Sequence, residues 1–437
     1  MQSIWEKEVT MPSFAYMEGD KRVDVLIIGG GIAGILCAYF LRNCGVEYCV
    51  VETNRITEGI SGHTTAKVTA QHGFIYHEIA DRYGLEAARQ YYTANQNAIE
   101  MFDGLCKDID CDWERKDNYV YSVKNREKAE REMRVLERIG SKARFEETLP
   151  LPFPTCGAVC FPDQAQFHPL KFLAELAKGL RIYENTKVTG FGGCTGTGER
   201  IVFTNRGKIA AKKVVVTTHF PMINKHGGYF MKLYQHRSYV LALKGGPHLL
   251  GMYVDEDKKG YSFRNAGEYL LFGGGGHRTG KNGGCYTELR GSAETFYPEA
   301  KEVCRFAAQD CMSLDGIPYI GTYGKYCENV FVATGFNKWG MTSSMVAAKI
   351  LSDLIQGKKN EYETLFSPSR PMFTSQLAVN LFEATVNLVS FSKKRCPHLG
   401  CALKWNKEEH SWDCPCHGSR FSERGKVLDN PANGNLK

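Results

Sequence analysis

A glycine-rich turn near the start of the chain restricts the fold more than any other feature. Residues 22–54 read RVDVLIIGGGIAGILCAYFLRNCGVEYCVVETN. The apolar run Val25–Ile28 predicts a buried parallel strand, and a helical pattern follows the turn. A second strand ends at Glu52. The glycines of the motif G-x-G-x-x-G are Gly29, Gly31 and Gly34.

Strand, glycine turn, helix and acidic residue in this order predict a doubly wound, Rossmann-like α/β domain that binds a dinucleotide. Gly29 permits the tight turn, Gly31 lets the backbone approach a pyrophosphate, and Gly34 lets the helix pack on the strand. Glu52, 18 residues after Gly34, is placed to hold a ribose hydroxyl. The motif does not distinguish FAD from NAD.

Composition and charge limit the classes of protein to which the chain can belong. The 437 residues suffice for two or three domains, and the start of the chain has no apolar signal-peptide core. No run of 18 apolar residues occurs, so we expect no membrane span, a cytoplasmic location and mostly free thiols among the 16 cysteines. Of the net charge of +7, the last 45 residues carry nine basic and five acidic side chains, which favours a local docking patch over a nucleic-acid groove.

Several later segments, in this order, resemble the D-amino-acid-oxidase-like family of FAD-dependent oxidoreductases, which includes glycine oxidase and sarcosine oxidase. Each segment is weak evidence alone, and their order is specific. With the glycine turn, the matching segments are SGHTTAK (61–67), QAQFHPLKFLAELA (164–177), KKVVVTTHF (212–220), DGIPYIG (315–321) and GFNKWGMT (335–342).

The resemblance implies FAD bound in an extended form over about residues 20–370, with its ring at the border of two domains. It implies an FAD-binding domain with an inserted antiparallel-sheet substrate domain. The expected FAD-binding parts are about 20–95, 155–222 and 300–370, and the substrate parts are about 96–154 and 223–299. The cofactor contacts that the resemblance implies are Thr64, Thr65, Val188, Thr217, Gly335, Gly340, Met341 and Thr342.

His63 has two interpretations that the sequence leaves open. In related dehydrogenases of dimethylglycine and sarcosine, a similar stretch carries a histidine covalently attached to the flavin. His63 either forms such a bond or contacts the pyrophosphate or the ring without one.

The substrate is expected to be a small molecule, and the family resemblance suggests an amine. The arginine that glycine-oxidase-like relatives carry before D-G-x-P is absent, and Thr342 stands where sarcosine oxidase has a lysine. The usual carboxylate clamp is therefore missing. Candidate pocket residues are Tyr239, Arg264, His277 and Lys338, each of which is otherwise a structural polar group.

Four ligand-type residues near the C-terminus predict a metal centre. Cys396-x-His398 is followed after 15 residues by Cys414-x-x-His417. A zinc site is one reading, but each loop supplies one cysteine and one histidine, which suits a [2Fe–2S] cluster with one thiolate-held and one imidazole-held iron. The segments CPHLGC and CPCHGS resemble the Rieske motif, and that resemblance implies a Cys401–Cys416 disulfide.

An amphipathic linker helix within about 371–393 is predicted to join the two parts, with the cluster-binding segment at about 394–437. Its polar stripe comprises Gln376, Asn380, Glu383 and Asn387. Because this stripe lacks Lys and Arg, docking on the protein is favoured over lying on a membrane.

The combined hypothesis is an oxidoreductase of the amine dehydrogenase type, in which FAD takes a hydride from a substrate and the cluster passes electrons singly to an external carrier. An acidic carrier such as a ferredoxin or flavodoxin fits the basic tail, whose candidate docking residues are Lys393, Lys394, Arg395, Arg420 and Arg424. The alternative is an electron-transfer or redox-sensing protein that oxidises no metabolite.

Overall fold

The structure is a computed structural model that describes residues 2–194, 196, 198–223, 226–257, 259–324, 327 and 329–436. The strands are β1 (Lys21–Ile28), β2 (Tyr48–Val51), β3 (Lys67–Val68), β4 (Glu114–Ser122), β5 (Arg144–Glu146), β6 (Gly157–Gln166), β7 (Ile182–Tyr183), β8 (Val188–Cys194), β9 (Arg200–Thr204), β10 (Gly207–Val216), β11 (Tyr234–Lys244), β12 (Met252–Asp255), β13 (Ser262–Ala266), β14 (Tyr269–Arg278), β15 (Lys301–Met312), β16 (Tyr319–Thr322), β17 (Val330–Thr334), β18 (Lys404–Asn406), β19 (Ser411–Asp413), β20 (Arg420–Ser422) and β21 (Val427–Asp429). The α-helices are α1 (Ile4–Glu8), α2 (Ile32–Asn43), α3 (Tyr76–Tyr83), α4 (Leu85–Cys106), α5 (Arg126–Arg138), α6 (Pro169–Leu176), α7 (Tyr229–Lys232), α8 (Cys285–Phe296), α9 (Gly340–Ile355), α10 (Glu363–Phe366) and α11 (Ser375–Val389).

The first sheet is the expected doubly wound unit. Its strands run in the order β16-β17-β10-β1-β2-β7, and β8 and β9 form a hairpin beside β10. The pairs around β1, β2, β7, β10 and β17 are parallel. Because a parallel sheet is covered on both faces, β1 reads as a near-continuous apolar run, and α2 and α9 pack together against it. The carboxyl ends of these strands open onto one cavity.

The second sheet has nine strands in the order β15-β11-β14-β13-β12-β4-β6-β3, with β5 beside β6. It is antiparallel except for the parallel pair β4–β12. β6 and β15 belong to this sheet although they lie in ranges expected to bind FAD. The sheet is therefore larger than the two predicted substrate segments.

The C-terminal segment forms a small antiparallel sheet, β18-β19-β20-β21. Its core consists of the four cysteines together with a few apolar side chains, chiefly Leu403, Phe421 and Ala432. Such a small core explains why a metal centre is expected to stabilise this unit.

The linker helix is present as α11, but it lies on the protein through its polar stripe. Thr374 caps it by accepting a hydrogen bond from the Leu377 N–H at 3.0 Å. Asn380 and Asn387 are buried, whereas Phe382 and Val389 are exposed. The helix therefore docks on the protein through this polar stripe, and its apolar side is exposed. Within the described ranges, no helix is long and apolar enough to cross a membrane.

Candidate functional site

The glycine turn after β1 has no room for side chains at two positions. Gly29 has a φ of +114°, and a Cβ there would lie 2.8 Å from the Thr217 carbonyl oxygen. A Cβ at Gly34 would lie 1.9 Å from the Gly29 carbonyl oxygen. The turn therefore requires glycine at both positions, as a backbone cradle for a dinucleotide does.

Glu52 holds the same turn from the end of β2. Its Oε2 accepts the Gly30 N–H at 2.7 Å and its Oε1 accepts the Asn54 N–H at 3.0 Å. Burial raises the pKa of this carboxyl, and the amide hydrogen bonds oppose the shift. Glu52 also lines the cavity, so its predicted role toward a ribose stays a prediction.

Hydrogen bonds from several parts of the chain fix the segment 61–67. Ser61 Oγ accepts the N–H of Ile32 at 2.9 Å, at the start of α2. The Trp5 indole N–H donates to the Thr64 carbonyl at 2.8 Å, and Arg264 donates to the Thr65 carbonyl at 2.7 Å. Thr64 and Thr65 line the cavity, whereas Arg264 lies behind them and is not among the lining residues.

His63 lines the cavity with about one-fifth of its side chain exposed. Its Nδ1 lies 3.1 Å from the Gly59 carbonyl oxygen, and its Nε2 lies 3.8 Å from a Glu6 carboxylate oxygen. Covalent and non-covalent roles both stay open. Acid precipitation of the flavin-loaded protein separates them, because only a covalently attached flavin stays in the pellet.

The turn before α9 is tied to the DGIP segment. The Asn337 side chain accepts the Ser313 N–H at 2.8 Å and donates to the Gly316 carbonyl at 2.9 Å. Gly335 has a φ of +71° and lines the cavity together with Gly340 and Met341. Thr342 instead donates to the Thr69 carbonyl at 3.0 Å, and it is not among the lining residues.

These segments surround one cavity of about 1490 Å³. Its wall includes predicted cofactor contacts from distant parts of the chain, among them Gly29, Gly31, Val188 and Thr217. Unexpectedly, residues of the C-terminal segment between 426 and 435 also line it. The glycine cradle, the helix start at Gly340 and the size of the cavity fit an extended dinucleotide.

Two buried ionisable groups in the wall were not singled out from the sequence. Burial, assisted by the charge of Arg264, lowers the pKa of Lys67 to about 7, and its Nζ lies 3.4 Å from Thr65 Oγ1. Burial raises the pKa of Asp310, which accepts a hydrogen bond from Ser238 at 3.0 Å. Lys67 lies within SGHTTAK, but nothing in that pattern reveals its burial.

Tyr239 and His277 belong to a polar cluster that attaches the C-terminal unit to the second sheet. The Tyr239 hydroxyl donates to Glu409 Oε1 at 2.9 Å and lies 3.0 Å from His277 Nε2. Arg237 Nε and Arg420 also donate to Glu409, at 3.0 and 2.8 Å. Tyr239 and Lys338 line the cavity and His277 does not. No sequence pattern marks Glu409 for this role.

The two segments that carry the predicted cluster ligands, residues 396–401 and 414–419, are called the first and second cluster loops, and they have the same backbone hydrogen-bond pattern. In the first, the Gly400 N–H donates to the Cys396 carbonyl at 2.9 Å, and in the second the Gly418 N–H donates to the Cys414 carbonyl at 2.9 Å. Gly400 and Gly418 have φ values of +81° and +84°, which favour glycine. Each loop therefore presents its cysteine and histidine in a matched turn.

The donor set fits a Rieske-type [2Fe–2S] cluster. The buried thiols of Cys396 and Cys414 contact each other, and the rings of His398 and His417 have centroids 4.9 Å apart. The Nδ1 atom of His417 is buried and has no hydrogen-bond partner in the described part of the chain, as expected of an atom reserved for a metal.

The structure records Cys401 and Cys416 as thiols, and their sulfur atoms lie with that of Cys414 within 4.8 Å of one another. The disulfide stays a prediction. Ser419 Oγ accepts the Ala432 N–H at 3.0 Å, which orients its hydroxyl beside Cys396.

One short segment connects the cavity with the cluster loops. Residues 217–219 line the cavity. The next residue, Phe220, is buried, and its ring centroid lies 6.5 Å from that of His398 and 6.3 Å from that of His417. The second loop is also held by Gln309 of β15, whose side-chain Nε2–H donates to the Gly418 carbonyl at 2.8 Å. His417 is buried, so this histidine faces the first domain and not solvent.

Arg420 cannot serve in the predicted docking patch. It is 6% exposed, and its guanidinium bonds Asp413 at 3.1 Å and Asp429 at 3.0 Å in addition to Glu409. The convergence of three carboxylates on one guanidinium is the reason for this inward orientation. Lys393, Arg395 and Arg424 are exposed, and Lys394 Nζ lies 4.4 Å from the centroid of the Trp412 ring.

Comparison with known proteins assigns a family to each of the two parts of the chain. The family model described as DAO, FAD dependent oxidoreductase, matches residues 24–354, and the Rieske [2Fe-2S] domain model matches residues 372–437. The chain is 36% identical over 497 aligned residues to the putative Rieske 2Fe-2S iron-sulfur protein YhfW of Bacillus subtilis (strain 168), with 100% of this chain and 97% of that protein covered.

Solved structures show the same fold for the first domain. Glycine oxidase from Geobacillus kaustophilus superposes with a TM-score of 0.67 at 20% identity, covering 81% of this chain and 100% of that chain. L-proline dehydrogenase from P. horikoshii gives a TM-score of 0.67 at 17% identity, covering 80% of this chain and 98% of that chain.

Proposed function

This chain belongs to the DAO family of FAD-dependent oxidoreductases and carries a C-terminal Rieske [2Fe-2S] domain, and on that premise we propose that it oxidises a small amine and delivers the electrons one at a time to an external carrier. The predicted fold class and both cofactors are confirmed by these matches. When bound, FAD accepts a hydride and the cluster carries single electrons. The finer statements, the amine and the carrier, are the proposal.

The observation that carries the proposal is the position of residues 217–220. Thr217 and His219 line the cavity, while Phe220 contacts both cluster histidines. His219 Nε2 also lies 3.1 Å from Gln235 Oε1, and Gln235 packs against Gly418 of the second cluster loop. The chain thus holds its two cofactor sites against a common segment, which is the arrangement that an internal electron relay needs.

An amine substrate is supported by the character of the wall and by the names of the similar structures. The cavity wall includes the second sheet at Ser238 and Tyr239, and the buried groups Lys67 and Asp310. Glycine and L-proline, named in the structures with the same fold, both carry an amine beside the carbon that is oxidised. A neutral amine can lose hydride without a strong base, so the absence of a catalytic base from the sequence motifs does not oppose the proposal.

The test is anaerobic bleaching of the flavin absorbance by a library of primary and secondary amines. At least one amine should bleach the flavin, and mixing with a one-electron acceptor should restore it. The Cys396→Ser variant, without the cluster, should still be bleached by the same amine but should reduce the acceptor at least tenfold more slowly. If dithionite bleaches the flavin and no amine does, the protein relays electrons without oxidising an amine.

The external carrier is proposed to be acidic, on the basis of the exposed basic residues near the loops. With Arg420 excluded, Arg424 is an exposed candidate contact on the cluster-binding unit. Arg424→Glu should slow reduction of ferredoxin or flavodoxin several-fold at low ionic strength and much less at 1 M salt, where the Debye length falls to about 3 Å. Bleaching by the substrate should be unchanged, and a transfer rate indifferent to salt would remove the acidic carrier from the proposal.

A further inference from the structure

The exposed side of α11 and its flanks is mainly apolar, and Ser375 and Thr385 are the exposed polar residues of the helix. Phe382 and Val389 are 67% and 80% exposed, and the flanking Phe373 and Phe391 are 93% and 98% exposed. Within residues 373–391, all of which the structure describes, no exposed residue is charged. We call this surface the apolar face, and its large members are Phe373, Val379, Leu381, Phe382, Val386, Leu388, Val389 and Phe391.

The orientation of the helix is fixed by its polar stripe. Asn380 accepts a hydrogen bond from Arg278 at 3.0 Å and donates to the Met231 carbonyl at 3.1 Å. Glu383 pairs with Lys281 at 2.7 Å, and the Asn387 carbonyl accepts the Ala402 N–H at 2.8 Å. Rotating the helix to bury the apolar face would break these contacts. The contacts of the polar stripe therefore keep the apolar face exposed.

Basic residues follow the apolar face directly. Residues 384–407 contain Lys393, Lys394, Arg395, Lys404 and Lys407 and no Asp or Glu. Arg395 donates to the Ser390 carbonyl at 2.8 Å and remains exposed, so it is fixed at the end of the helix. An uncharged apolar helix face beside a cluster of cations is complementary to a surface of anionic lipid.

We propose that α11 lies in the interface of an anionic lipid membrane, with the apolar face inserted and Lys393, Lys394 and Arg395 at the headgroups. A second copy of the chain is less suited to this surface, because the cations beside the face would repel those of the other copy, whereas anionic headgroups would attract them. The attachment is peripheral, through one helix.

The proposal has a consequence for electron exit. The opposite side of α11 contacts the cluster loops, since Cys416 Sγ lies 3.9 Å from the Glu383 carbonyl oxygen. An α-helix with its side chains is about 10 Å across. Docking through α11 therefore brings the cluster site to within about one helix diameter of the lipid.

Vesicle co-sedimentation of the full-length protein with both cofactors bound tests the proposal. Vesicles of phosphatidylcholine with phosphatidylglycerol should bind the protein at least tenfold better than phosphatidylcholine alone. The double variant Phe382→Asp/Val389→Asp should lose at least tenfold of that binding. Leu250→Asp is the matched control, since Leu250 is an 83% exposed apolar residue outside α11, and it should change binding by less than twofold.

The charge contribution is tested separately with Lys393→Gln, which should weaken binding about fivefold, the factor expected for one basic residue near an anionic surface. Flavin content and the cluster spectrum must match the wild type in every variant.

The proposal is overturned if the wild-type protein does not bind anionic vesicles, or if Phe382→Asp/Val389→Asp binds them like wild type. It is also overturned if light scattering shows a dimer that this double variant dissociates, which would assign the face to a second copy. Bleaching by amines is measured without vesicles, so the two proposals fail independently.

Discussion

The cluster loops and the FAD cavity are built in opposite ways. Cys396 and His417 bound a segment of 22 residues that holds all four predicted cluster ligands, and each loop is closed by its own backbone hydrogen bond. The cavity takes its wall from segments between residues 28 and 435. A local site tolerates changes elsewhere in the fold, whereas a dispersed site depends on how sheets, helices and the C-terminal unit pack. The two sites should therefore respond differently to substitution.

The largest effect is expected from Gly34→Val, because any Cβ at this position meets the Gly29 carbonyl oxygen at 1.9 Å. The turn must open, and flavin content should fall below about one-tenth of the wild-type value while the cluster spectrum persists. Flavin and iron are measured on the same purified sample. The control is Gly104→Ala in α4, where an added Cβ meets nothing within 4 Å. Loss of both cofactors from Gly34→Val would show that the cluster site is not local.

The converse substitutions are Cys396→Ser and His417→Ala. Each removes a cluster ligand, so the cluster signal in electron paramagnetic resonance should vanish, while more than half of the flavin is retained. Cys194→Ser changes an exposed cysteine outside both sites and should retain both cofactors. Residues between 426 and 435 line the cavity, so a modest loss of flavin affinity is consistent with a local cluster site and a dispersed cavity. Complete loss of flavin would show that the cavity depends on the cluster.

Arg420 and Arg424 form a matched pair that separates buried from exposed charge in the C-terminal unit. Arg420→Ala leaves the carboxylates of Glu409, Asp413 and Asp429 without their shared cation and should destabilise this unit by about 3–5 kcal/mol. Arg424→Ala should stay within about 0.5 kcal/mol of wild type. Urea titration followed by cluster absorbance measures both. Equal stability of the two variants would contradict the inward orientation of Arg420.

The smallest effect concerns the buried amine of Lys67. Burial lowers its pKa to about 7, against about 10.4 in the unfolded chain. Between these values the unfolded state binds one more proton, so the free energy of unfolding rises with pH, by at most about 1.4 kcal/mol per pH unit. Lys67→Met lacks this contribution. The difference in urea midpoint between wild type and Lys67→Met should therefore change from pH 7.5 to pH 8.5 in favour of wild type, and a constant difference would show that Lys67 is not buried as an amine.

The local patterns were sufficient to predict the doubly wound sheet and the glycine turn, and they predict the cluster ligand set. Gly29, Gly34, Cys414 and His417 act through neighbours a few residues away, or through backbone geometry that the motif itself specifies. The order of the remaining segments predicted the FAD-binding domain, and the family match confirms it. The polar stripe predicted for α11 is present, and it is the side of the helix that docks on the protein.

The direction in which a polar side chain faces depends on the groups that lie opposite it in the folded protein. The local sequence pattern does not contain that information. Asn380 is buried because Arg278 and the Met231 carbonyl offer its side chain hydrogen-bond partners. Arg420 turns inward because Glu409, Asp413 and Asp429 converge on it from separate turns and strands. The sequence by itself determined which local units form and which candidate ligands they carry. Only the tertiary structure decided which faces are buried, since burial of a polar or charged group is favourable only when residues on other strands, turns or helices supply its partners.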